Sequence, residues 1–234
     1  MGPVPDVSGF LPSQSAFAFT NSWPSEPAIS VNTPFGDVNI GDASNGLCGG
    51  MVFAVRDYFA AGRTPPEERP AEGTPLFRFI VNRLVTSWDI PRGVAKYYQW
   101  MTLPNADTRL EIFGLEVVGV RGVSWRTVVE ELPSIRADLD GGQLCCLGVV
   151  TTRSTKPADL GLNHQVLTYG YEVDGSTVTL KIYDPNRGRD DDVRITIETG
   201  NPSNGAAVRH NIGITRRIRG IFRVTYVPVT PPVG

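Results

Sequence analysis

Residues 164–186 read HQVLTYGYEVDGSTVTLKIYDPN. Two stretches inside them, 165–173 and 177–183, alternate or carry β-branched and aromatic residues, and Asp174-Gly175 between them is a hairpin turn signal. The β character continues on both sides of this hairpin. Residues 144–151 form an unbroken apolar run of strand length, and 193–197 and 221–227 again alternate or are rich in β-branched residues. Further towards the N-terminus the period changes. Between 47 and 59, Cys48, Met51, Val52, Val55 and Phe59 recur at spacings of three and four, one face of a helix. Ser44 or Asn45 is placed to cap that helix and Gly62 to end it. Further helices are expected over 76–88, with Thr74 as N-cap and Pro75 at the first helical position, over 93–103 and over 124–139. Helices first and an antiparallel sheet afterwards is the α+β order. The expectation is a single domain over 1–234. It has an extended N-terminal arm over 1–46 with one or two short strands, a mainly helical part over 47–140, and an antiparallel sheet over 143–227.

Composition narrows the function. The chain has 234 residues, two-fifths of them apolar and a fifth charged, enough for one sizeable core. A net charge of −2 gives no global footprint for nucleic acid or an anionic membrane. The one basic run, Arg216-Arg217-Ile218-Arg219, alternates with Ile214, Ile218 and Phe222 and is expected on the outer face of a late strand. No segment approaches the ~20 apolar residues of a membrane span. Three cysteines, two of them adjacent, make no disulfide framework. With no basic-then-apolar leader at the N-terminus, reduced thiols and a cytoplasmic setting are the default; a secreted protein with its leader trimmed would read the same. No metal or cofactor is expected: no His or Cys pair has ligand spacing, and Asp190-Asp191-Asp192 lacks the EF-hand pattern.

Cys48 falls in the first turn of the best-signalled helix. There the macrodipole and unpaired backbone N–H groups favour a thiolate, the reactive form of cysteine. Its neighbours Gly46, Gly49 and Gly50 cost helix stability, so close approach of a substrate backbone or tight packing should justify them. A buried cysteine on a core face is the alternative. His164 opens a strand behind a long polar loop, a rigid yet accessible position for a base. Pairing across Asp174-Gly175 brings residues near 165 opposite residues near 184, so Asp184 or Asn186 should lie beside His164 and orient its ring. His210 has no such partner pattern and is expected at the surface. Cys145 and Cys146, in the apolar run, read as small buried hydrophobes.

The runs Gly46-Leu47-Cys48-Gly49-Gly50, 163–171 and 178–186, in that order, resemble papain-like cysteine peptidases, and among them the C39-like bacterial group. The resemblance implies a nucleophile helix packed on a C-terminal antiparallel sheet. It implies Cys48 as nucleophile, His164 as base and acid, and Asp184 as orienting residue with Asn186 in reserve. It implies a peptide or protein substrate. In one respect the chain departs from the family: the Gln that completes the oxyanion hole about six residues before the cysteine is Asp42 here. An ionised carboxylate would repel the oxyanion, which leaves Asn45 or Asn39 as candidate donors. Three functions follow: a thiol hydrolase, a transglutaminase-like or deamidating acyl transferase, and a papain-like module that binds without cleaving.

Overall fold

A computed structural model describes residues 6–23, 29–33, 36–40, 47–112 and 115–233. The order of elements is α+β. A single-turn helix α1 (Pro12–Ser15) and the strands β1 (Ile29–Thr33) and β2 (Gly36–Ile40) precede the helices α2 (Cys48–Ala60), α3 (Pro75–Ser87) and α4 (Arg92–Thr102). A small hairpin, β3 (Arg109–Ile112) and β4 (Leu115–Val118), leads into a long helix, α5. The strands β5 (Cys145–Val150), β6 (His164–Asp174), β7 (Thr177–Tyr183), β8 (Arg194–Glu198), β9 (Val208–His210) and β10 (Gly220–Arg223) then form one antiparallel sheet in the order β10-β5-β6-β7-β8-β9. β5 and β6 lie inside this sheet, so β5 is buried throughout and β6 over its first eight residues.

Helix α5 is built from Val123–Trp125, π-helical turns over Arg126–Glu131 and Leu132–Asp140. Pro133 explains the π turns: its ring has no N–H and crowds the carbonyl four residues earlier, so the turn before it widens. Ser124 does not cap α5. The N-cap is Gly122, and Thr127 is spent on the backbone of β10, accepting from Ile221 N at 3.1 Å.

Helix α2 is where the sequence asks for explanation, and α3 supplies it. Both glycines after Cys48 are buried. A Cβ on Gly49 would come 2.4 Å from Ser87 Oγ, and one on Gly50 would come 2.1 Å from the carbonyl oxygen of Ile80. The two glycines therefore let α3 lie against α2, which is tight packing and not room for a substrate backbone. Gly50→Ala forces backbone apart and is expected to cost about 3 kcal/mol, read by urea unfolding. A loss below about 0.5 kcal/mol, typical of uninvolved surface sites, would sink the packing argument.

Several expectations change. The N-terminal arm is not a free extension. Phe10, Ala16, Phe17 and Phe19 are core residues, Val7 N donates to Tyr169 O at 2.7 Å, and Asn21 N donates to Pro185 O at 2.9 Å. The C-terminal tail is also held, by Arg63 donating to Pro231 O and Tyr58 to Pro232 O. The strand expected over 221–227 is cut to Gly220–Arg223, and β3, β4 and β9 were not anticipated. The basic run precedes β10 in a loop. Arg219 points inward there and donates to the carbonyls of Leu103 at 2.6 Å and Thr152 at 2.8 Å.

The β6–β7 hairpin turns on Gly175-Ser176, one residue later than Asp174-Gly175, because Asp174 pairs with Thr177. Gly175 takes φ 55°, the glycine position of a type II′ turn. A bulge between Thr168 and Gly170 recovers one residue of the lost register, and Leu167 pairs with Tyr183. That register, carried to the strand ends, sets Asp184 across from Val166 and two residues along from His164.

Candidate active site

Pairing of His164 with Val149 fixes the start of β6 inside the sheet. Its carbonyl accepts from the Tyr97 hydroxyl of α4 at 3.2 Å. The imidazole is almost wholly buried, and its Nε2 stands 2.7 Å from Oδ1 of Asp184, which has no exposed surface. Asp184 also accepts from the backbone N–H groups of Asn186 (2.9 Å) and Gly213. Burial works against a charged imidazole. The carboxylate of Asp184, then Cys48, and hydrogen bonds to both outweigh it and push His164 up to about 10. For Asp184, burial is likewise outweighed, first by the charge and hydrogen bond of His164 and then by the two backbone donors, so its carboxyl stays below the usual range. His164 and Asp184 therefore form an ion pair at neutral pH.

The nucleophile candidate sits on the other side of the ring. Cys48 is the first residue of α2, half-buried, and within hydrogen-bonding reach of His164. Since Nε2 is held by Asp184, Nδ1 is the ring nitrogen left for a thiol. The first turn of a helix leaves its N–H groups without intrahelical partners, so the backbone N–H of Cys48 is available to a developing oxyanion. No side chain caps α2 in the usual way. Instead Asn21, from the N-terminal arm, accepts from Leu47 N at 2.8 Å.

Asn21 does a second thing. Its Nδ2 donates to Asn186 Oδ1 at 3.1 Å, and Asn186 Nδ2 donates to Gly213 O at 3.1 Å. A continuous chain of hydrogen bonds thus runs from the residue before the cysteine to the loop that holds the carboxylate of Asp184. Asn186, expected as a possible orienting residue, does not reach His164; it steadies Asp184 and Asn21. Asp42 and Asn45 lie outside the described residues. Asn39 lies in β2, opposite Ser30, and its side chain also falls outside them. His210 is partly buried and bonds to the carbonyl of Arg216 at 3.1 Å, with no part in the Cys48 cluster.

A cavity of about 70 Å³ opens onto Cys48 and His164. Its lining includes the apolar Leu84, Trp88, Val94, Leu162 and Ile214 and the polar Asn186 and Arg216. Burial pushes the thiols of Cys145 and Cys146 up, the latter to about 11, so neither competes with Cys48 as a nucleophile. Among the described residues no group of three His, Cys, Asp or Glu side chains could hold a metal ion. No helix among them is long and apolar enough to cross a membrane.

Sequence reasoning pointed to Cys48, His164 and Asp184, which the structure brings together. It missed Asn21, Tyr97 and Arg216. Of these only Arg216 carried a signal, as part of the basic run. No family model, curated protein or solved structure matches this chain.

Proposed function

We propose that the chain is a papain-like thiol hydrolase that cleaves a peptide or amide bond through an acyl-enzyme. One observation carries the reading: a buried, hydrogen-bonded His164–Asp184 pair beside a cysteine at a helix start. In this mechanism the Cys48 thiolate attacks the carbonyl carbon and the oxyanion faces the N–H of Cys48. The imidazolium of His164 gives its Nδ1 proton to the leaving amine as the C–N bond breaks. His164 then takes a proton from water, whose hydroxide attacks the thioester and releases the acid and the thiolate. Asp184 holds the ring and stabilises its positive charge throughout, and Tyr97 fixes the backbone of His164.

Iodoacetamide labelling read at each cysteine by mass spectrometry tests the pair. At about pH 6.5 Cys48 is expected to label at least tenfold faster than Cys145 or Cys146, and His164→Ala to remove that advantage. Equal labelling of Cys48 with and without His164 would take away the thiolate–imidazolium pair, and the chain would then be read as a binding module.

A further inference from the structure

The basic run Arg216-Arg217-Ile218-Arg219 divides into parts with different surroundings. Arg219 is a structural residue, bonded to backbone carbonyls. Arg217 is exposed, and Arg216 lines the cavity that holds Cys48 and His164. Among the described residues no ion pair joins Arg216 to a carboxylate, and none of those lining the cavity is Asp or Glu. Much of the rest of the lining is apolar. Leu84 and Val94 are core residues whose faces reach it, and Trp88 and Leu162 are half-buried beside them.

A guanidinium with no fixed counter-ion among the described residues, in the lining of a cleft, is a ready partner for a substrate carboxylate. Its planar fork fits the two oxygens, and the cleft concentrates its field. Half-buried apolar side chains in the same lining gain by being covered. We propose that the site selects acidic peptides or acyl amino acids that carry two recognition groups near the reacting carbonyl. A carboxylate meets Arg216, and a bulky apolar group covers Trp88 and Leu84. This rests on the thiol-hydrolase reading and gives it a substrate class. It also explains why a chain of net charge −2 keeps a cation in this lining.

Reagents that differ in one feature test it on the folded protein. Iodoacetate and iodoacetamide alkylate a thiolate by the same displacement of iodide and are nearly equal in size, but only iodoacetate is charged. The ratio of their rates at Cys48, divided by the ratio for glutathione, should exceed one. It should fall about three- to tenfold in Arg216→Gln and further in Arg216→Glu, and it should fall with added salt. Arg217→Gln, an exposed neighbour outside the cavity, should leave the ratio unchanged. N-benzyliodoacetamide should outpace iodoacetamide at Cys48, relative to glutathione, by about threefold or more, and Trp88→Ala should erase that advantage. If Arg216→Gln leaves the charge ratio as it was, or Arg217→Gln lowers it equally, the acidic preference is overturned. A benzyl reagent with no advantage overturns the apolar half. If no reagent labels Cys48 in the folded protein, the hydrolase reading itself fails and the substrate class fails with it.

Discussion

Asp184→Ala lowers any turnover by roughly 10⁴-fold, the order of loss when a triad carboxylate is replaced, and slows Cys48 labelling about tenfold, as far as His164→Ala does. In the wild type the ring of His164 is held by a single 2.7 Å contact at Nε2, and its charge is balanced by a carboxylate that water does not reach. Without Asp184 the buried imidazole has no reason to stay charged and no partner to set its plane. Stability falls as well, by about 3–5 kcal/mol, because one member of a buried pair is left alone. The pH dependence follows from the two shifts. His164 is raised from 6.5 to about 10, so its contribution is complete below about 6.5 and disappears as pH rises through about 10. Asp184 is lowered from 3.8, so its contribution is complete above about 3.8 and disappears as pH falls through its folded value. The gap in stability between wild type and Asp184→Ala is therefore widest between about pH 4 and 6.5 and narrows towards pH 10. Urea unfolding across that range reads it. Asp184→Asn removes the charge but keeps one of the two acceptor oxygens, for Asn186 or for Gly213, and so separates lost charge from part of the lost loop anchoring. Labelling at the wild-type rate in Asp184→Ala would remove Asp184 from the chemistry.

Arg83→Ala is expected to cost about 3–5 kcal/mol at neutral pH. Its guanidinium lies 2.7 Å from Oδ2 of Asp57, and both side chains are almost completely buried. Asp57 Oδ1 also accepts from the Tyr226 hydroxyl at 2.6 Å and from Val229 N at 3.0 Å. Burial outweighs all of these and raises the Asp57 carboxyl above 3.8 even in the intact protein. A raised acid in the folded state costs stability above its unfolded value and not below it. Removal of Arg83 raises it further, so the deficit of Arg83→Ala grows from about pH 4 to pH 7. Thermal or urea unfolding at the two pH values decides this. A deficit that shrinks with rising pH would mean that Asp57 has found another cation. The knot matters to the site because Asp57 is on the helix that begins at Cys48, and it ties the C-terminal segment to that helix and to α3.

What the sequence made legible was local. The β6–β7 pair, the helix at Cys48 and the order of helices before sheet could be read because period and turn residues report on neighbours within about ten positions. The juxtaposition of His164 and Asp184 was legible for the same reason, and it survived two errors of opposite sign. The turn lies one residue later than Asp174-Gly175 indicates, which shifts cross-strand partners by two, and the bulge at Thr168–Gly170 returns one of the two. Asn21 was illegible: its partners are Leu47 and Asn186, and nothing in a polar arm signals which distant N–H it will meet. The basic run failed in another way. Its alternation is that of a strand, but Arg219 finds a set of carbonyls at the end of α4, and that inward bond removes the run from the sheet. The glycines after Cys48 were noticed and their cause was open until α3 was seen lying on them.

The bridge from Asn21 to Leu47 and Asn186 also has a consequence during synthesis. Cys48 and its helix leave the ribosome early, while Asp184, Asn186 and Gly213 follow more than a hundred residues later. Until then the arm has half its partners, the thiol has no imidazole, and the helix start has no tether to the far loop. A nascent chain of this protein thus carries Cys48 without its imidazole, and the cluster of Cys48, His164 and Asp184 is complete only after Gly213 has been made. The topology itself delays the moment at which the thiol gains its partners.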